Sequence, residues 1–160
     1  VALTGCTSLI RLCMEANRLT SLDLNPVAAN LRDLRAAVQV SAGLDFVPLT
    51  ASLAQLWHYC VRDQPVTRLI PHSRLPVIEQ HWAWNTGQTT SDAPTSALLN
   101  SYISDGNHYD QTSVDRILTG LATVTTGGGY LTLSGSAAPS ATGATAATTL
   151  RGRGWTVTTT

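Results

Sequence analysis

Leu9, Leu31, Leu53 and Leu75 stand at a constant spacing of 22 residues, and three positions further on Leu12, Leu34, Leu56 and Ile78 repeat the same interval. Two aliphatic columns in one register constrain this chain more than any other feature it has. A fixed period of this length marks a stacked repeat. One unit cannot bury its apolar stripe alone, and neighbours must build a continuous core between them. One strand per unit, set about 4.8 Å from the next, is expected to pile each column into a single interior row. A fifth unit follows at Leu99 and Tyr102 after a slip of two residues.

The first unit reads Leu9-x-x-Leu12-x-Met14-x-x-Asn17-x-Leu19. It resembles the leucine-rich-repeat pattern L-x-x-L-x-L-x-x-N-x-L, with Met in place of one Leu. Leu99, Tyr102, Asn107 and Tyr109 echo it in the fifth unit, and Leu3-Thr4-Gly5-Cys6-Thr7-Ser8-Leu9 resembles the stretch that leads into such a repeat. Cys6 is expected there as a small buried filler, the usual place of a free cysteine. The middle units are degenerate. The second strand aliphatic becomes Ala36, His58, Gln80 and Ser104, and the Asn position becomes Gln39, Val61 and Ala83. His58, at a core position in this register, is expected as a hydrogen-bonded interior histidine and not as a ligand. Pro48, Pro65, Pro71 and Pro76 fall mainly between the strands. Proline cannot donate to a ladder, so the far side of the repeats is expected to be irregular or extended.

After Tyr109 the period stops. Thr112-x-x-Asp115 has the form of a capping box, and Val114, Ile117, Leu118 and Leu121 make one helical face. Gly127 to Gly129 form a turn, Tyr130 to Leu133 alternate as a strand, a short helix ends near Arg151, and Trp155 to Thr158 alternate as a last strand. A helix-strand-helix-strand unit in this place would hide the open apolar end of a stack, with Trp155 and Val157 as its anchors. The expected fold is therefore α/β: a leucine-rich-repeat solenoid over residues 1–109, N-terminally incomplete, closed by a capping unit over 110–160.

Residues 113–121, 130–135, 138–143 and 150–158 resemble the C-terminal segments of leucine-rich-repeat proteins from bacterial surfaces and bacteriophage tails. That resemblance implies binding or structural work at a cell surface, outside the cell or on a virion. It brings no catalytic residue with it. A decoration component of a phage tail or surface assembly is the alternative reading.

Composition narrows the partners. Only 12% of the residues are charged and the formal net charge is zero, so no clustered basic surface is at hand for nucleic acid or anionic membrane. All ten basic residues are Arg, which removes lysine chemistry such as a Schiff base or phosphate-loop lysine. No apolar run approaches a membrane span. Cys6, Cys13 and Cys60 lack C-x-x-C spacing, and His72, His81 and His108 have no partner at metal-ligand spacing. No G-x-S-x-G elbow occurs, and Glu15 and Glu79 are the only glutamates. The chain is expected to be no enzyme and to need no cofactor.

Function is then expected on the strand residues that alternate with the core. In the 22-residue register these include Arg35 of the second unit, Trp57, Tyr59 and Cys60 of the third, and Glu79, His81 and Trp82 of the fourth. Tyr59 falls beside His81, and Trp57 beside Glu79. Rigid aromatics with polar tips suit recognition of a protein, and a flat ring also stacks on a sugar. The candidate partner-binding set is Arg35, Trp57, Tyr59, Glu79, His81 and Trp82, with a protein or cell-surface glycan as the partner. A register slip of one residue in the degenerate middle would instead turn these aromatics into core.

Overall fold

A computed structural model describes residues 3–37 and 43–160. Val38 and Gln39, which the repeat register assigns to an outward position and an amide position, lie outside the described residues. Among the described residues, ten strands form two parallel sheets. The large sheet takes β1 (Arg11–Cys13), β3 (Asp33–Arg35), β5 (His58–Cys60), β7 (Gln80–Trp82), β8 (Ser101–Ile103), β9 (Tyr130–Leu133) and β10 (Thr156–Thr159), side by side in chain order. The small sheet takes β2 (Ser21–Leu22), β4 (Leu44–Phe46) and β6 (Val66–Arg68). Short 3-10 turns at Asn25–Val27 and His72–Arg74 complete the side where the prolines gather. The core lies between the sheets, with Leu22, Leu44, Phe46 and Val66 facing Leu34, Tyr59 and their neighbours.

The register corrects the expected columns. Leu12 pairs with Leu34, but Leu34 pairs with Tyr59, 25 positions on, and the row continues through His81, Tyr102, Leu131 and Val157. Leu56 and Ile78 do not join Leu12 and Leu34. They precede Tyr59 and His81 by three residues, as Leu9 and Leu31 precede Leu12 and Leu34. Their neighbours confirm that row: Trp57 N–H donates to Arg32 O and Glu79 N–H donates to Trp57 O. Leu53 and Leu75 belong one step earlier still. The turns Leu9 N–H to Cys6 O, Leu56 N–H to Leu53 O, Ile78 N–H to Leu75 O and Leu99 N–H to Ser96 O are the same feature in successive units. Three added residues between β3 and β5 bring aliphatic Leu53, Leu56, Leu75 and Ile78 to the positions a constant 22-residue period reaches, so that period is continuous in the sequence although the strands do not follow it.

The shift also restores the amide position. Counting five residues on from Leu12, Tyr59, His81 and Tyr102 gives Asn17, Gln64, Thr86 and Asn107, three of them amides. Gln64 donates from Nε2 to Ala36 O. Asn107 is buried: its Oδ1 accepts from Thr86 N–H, Thr86 Oγ1 and Gln88 N–H at 3.0, 2.9 and 3.2 Å, and its Nδ2 donates to Ala83 O. Those bonds answer backbone groups that no ladder reaches where the chain leaves a strand.

Beyond β8 come α1 (Gln111–Val124) and α2 (Ala141–Gly152). The cap of α1 is Asp110, whose carboxylate accepts from Ser113 N–H at 2.7 Å, and not the expected Thr112. Val114, Ile117, Leu118 and Leu121 are buried as their spacing requires. The two helices pack together so closely at Gly143 that a Cβ there would stand 2.0 Å from Asp115 Oδ1. Trp155 is 3% exposed and donates from Nε1 to Gly127 O at 2.6 Å, tying β10 to the glycine turn. Cys6 departs from expectation. In the Leu3–Leu9 turn its backbone makes both turn hydrogen bonds while its thiol faces solvent, so it fills no core space.

Candidate functional site

Period two sends one set of strand side chains into the core and the other to the opposite, outward face. On that outward face Arg11, Asp33, His58 and Gln80 lie in one row, and Cys13, Arg35, Cys60, Trp82 and Ile103 in the next. Asp33 is the hub. Its Oδ2 lies 2.9 Å from Arg11 Nε, and its Oδ1 accepts from Arg35 Nε at 3.2 Å and from His58 Nδ1 at 2.7 Å. Burial by itself would raise the Asp33 carboxyl, but the hydrogen bonds from His58 and Arg35 and their charges outweigh it and hold the pKa below the usual carboxylate value. Asp33 Oδ1 accepts from His58 Nδ1, and His58 Nε2 is buried and without a hydrogen-bond partner among the described residues.

Aromatic rings enclose that histidine. Trp57 stacks on it at 5.5 Å and Trp82 meets it edge-on at 5.0 Å. Trp84, two residues along the same chain, follows Trp82 at 6.2 Å, and the Arg62 guanidinium lies 5.2 Å from the Trp84 ring. Trp57, Trp82 and Trp84 are each half-buried, so every ring keeps part of its surface in solvent. Trp82 Nε1 donates to Ser101 Oγ at 2.9 Å, which fixes the ring's orientation. Three half-buried indoles, with Arg62 over Trp84, form a ridge with little side-chain entropy left to lose on binding.

The candidate set divides. Trp82 and Arg35 lie on the outward rows and Trp57 stacks on outward His58, whereas Glu79 is half-buried and its backbone N–H donates to Trp57 O. Tyr59 and His81 do pair with one another, but they point inward: Tyr59 is 0% and His81 1% exposed. The three-residue shift puts both on the row begun by Leu12 and Leu34, so their expected exposure is corrected. The same shift turns His58 from a core position to the outward face, where its burial comes from Asp33, Trp57 and Trp82 and not from the hydrophobic core. Asp33, His58, Arg62 and Trp84 belong to this surface and were absent from the expected set. Continuing the alternation Gln80, Trp82, Trp84 by one more step would have found Trp84.

Cys60 shares the outward face with His58, but burial pushes its thiol up, so it is a protonated, weak nucleophile at neutral pH. Among the described residues no group of three His, Cys, Asp or Glu side chains is arranged to hold a metal ion, and no helix is long and apolar enough to cross a membrane. Comparisons with protein-family models, with curated proteins and with solved structures gave no match.

Proposed function

We propose that the chain is a solenoid of leucine-rich-repeat type that recognises a protein or a surface glycan through the outward face of its large sheet, and that it works by binding and not by catalysis. The observation that carries this reading is the ridge of half-exposed Trp57, Trp82 and Trp84, braced by Asp33, His58 and Arg62. Chain-order pairing of successive parallel strands, with an apolar row beneath each, supports the repeat architecture. Indoles anchor interfaces because they bring large contact area with few rotatable bonds, and arginines beside them supply orientation. A cell-surface, extracellular or virion setting belongs to the same proposal and rests on the resemblance of residues 113–121, 130–135, 138–143 and 150–158.

The test is a glycan array and a displayed-peptide library screened with the intact chain and with a Trp57→Ala/Trp82→Ala variant. Loss of at least about tenfold in affinity for each captured partner is expected, with the fold intact by circular dichroism. Tyr130→Ala, an exposed aromatic elsewhere on this sheet, is the control and should bind as before. Equal affinity of the double variant would remove the ridge from the function.

A further inference from the structure

From β1 to β8, each strand of the large sheet hands part of its backbone to the strand that follows. Met14, Ala36, Val61, Ala83 and Ser104 stand two residues past Leu12, Leu34, Tyr59, His81 and Tyr102, and each donates its N–H to the next strand. Val157 and Thr159 hold the same two places in β10. Thr156 N–H donates to Gly129 O at 2.9 Å, so Thr156 and Thr158 turn their backbone groups toward β9 while Val157 and Thr159 turn theirs away. Among the described residues no strand stands on that side. Thr156–Thr159 contains no charge, proline or glycine, and an edge without such devices pairs with other chains unless something blocks it.

Arg151 supplies the block. From the last turn of α2 its Nη2 donates to Val157 O at 2.9 Å. A strand laid along this side of β10 would need that same oxygen as an acceptor. Ending the helix does not require the Arg151 side chain, because the last turn of α2 is closed by the Arg153 N–H on Thr149 O and Leu150 O. The Arg153 guanidinium is engaged elsewhere, on Ala122 O and Thr125 O. Arg151 is thus the cation that reaches the edge, and the oxygen it takes is one that every earlier strand in the row leaves to its neighbour.

We infer that Arg151 guards the open edge of the large sheet, and that releasing its hold on Val157 O lets β10 pair antiparallel with β10 of a second copy of this chain. The pairing is self-complementary, as a two-fold contact requires. About an axis through Thr158, Val157 of one copy stands opposite Thr159 of the other, and these are the residues whose N–H and C=O point outward. An antiparallel pair of that kind exchanges both of its hydrogen bonds, so the sheet runs on from one copy into the next. β8 and β9 separate this edge from Trp57 and Trp82, and the guard stands or falls independently of the recognition ridge.

Sedimentation velocity of the full chain tests the guard over a series from about 5 to about 500 µM. The native chain is expected to stay monomeric. Arg151→Ala, a change on the exposed side of α2, should self-associate at least about tenfold more tightly than the native chain. Thr159→Pro in that background should return it to monomer. Proline there costs no bond to β9, because the Thr159 N–H faces the open side, and it removes a donor that pairing between copies needs. Arg151→Gln, whose side chain is too short to reach Val157 O, should follow Arg151→Ala, with circular dichroism checking the fold of each. Amide exchange gives an independent readout: the Val157 and Thr159 N–H groups should gain protection in Arg151→Ala as its concentration rises. Monomeric Arg151→Ala and Arg151→Gln at the top of the series, a native chain that already dimerises, or association that survives Thr159→Pro would overturn the assignment.

Discussion

His58 Nδ1 lies 2.7 Å from Asp33 Oδ1, and both side chains are 3% exposed although they project from the outward face of the sheet. The pair is closed off by Trp57 and Trp82, so the rings that offer contact surface outside also shield a charged hydrogen bond beneath them. Low local polarity strengthens such a bond and raises the penalty for breaking it.

Asp33→Asn removes the one carboxylate that Arg11, Arg35 and His58 share. Loss of one partner from a buried charged pair costs about 3–5 kcal/mol, and the exposure of the arginines places this case near about 3 kcal/mol, read by urea denaturation. The depressed Asp33 pKa adds a pH signature. Its stabilisation is fully present above the unfolded carboxyl value near pH 3.9 and is lost as pH falls through the lower folded value. The variant should show less of this acid-side loss. Wild-type stability in the variant at neutral pH would refute the hub.

His72 and His81 act in a different window. Both are held below the ordinary histidine pKa, first by burial; His72 adds to the effect on His81, and Asp92 partly offsets it at His72. Their native state therefore binds fewer protons than the unfolded chain below about pH 6.5. Stability is complete above that value and declines as pH falls below it, by at most about 1.4 kcal/mol per pH unit for each histidine. Denaturation series from pH 7.5 down to pH 5 should give a flatter profile for His81→Phe than for the native chain. Superimposable profiles would show that His81 takes up its proton without cost.

Asn107→Ala should destabilise by about 3 kcal/mol, because Thr86 N–H and Gln88 N–H lose the buried acceptor they share. Asn17→Ala, at the same place in the first unit but exposed, should change stability by no more than about 0.5 kcal/mol. Equal losses at the two sites would contradict the shared repeat position with different burial.

The three cysteines are free and differ in access: Cys6 and Cys13 are exposed and Cys60 is buried, with its thiol pKa raised. A native-state reaction with Ellman's reagent at neutral pH should modify Cys6 and Cys13 quickly and Cys60 only after denaturation. Fast modification of all three thiols would show that the Trp82 row does not cover Cys60.

Much of the architecture was legible because it is written in local pattern. The α1 face needs only Val114, Ile117, Leu118 and Leu121 at helical spacing, and the last two strands need only alternation at Tyr130–Leu133 and Thr156–Thr159. Leu12 and Met14, apolar at alternate positions, mark the inward side of β1. The candidate site was half legible. Trp57, Trp82 and Arg35 were placed on the right side of the sheet, and Tyr59 and His81 on the wrong one; His58 is the buried, hydrogen-bonded histidine its position suggested, but in the outward row.

The amino-acid order alone determined that there are repeated strands, where they roughly recur and which helices follow them, since apolar periodicity is a property of neighbouring residues. Which strand residue meets which was decided only in three dimensions. Between β3 and β5 the spacing grows from 22 to 25 residues, and a chain with leucines at both positions satisfies either alignment one strand at a time. Only the packed core distinguishes them. It must seat Tyr59, His81 and Tyr102 as a stack between two sheets, and in doing so it sends His58 out to meet Asp33, a residue 25 positions away that no local pattern could join to it.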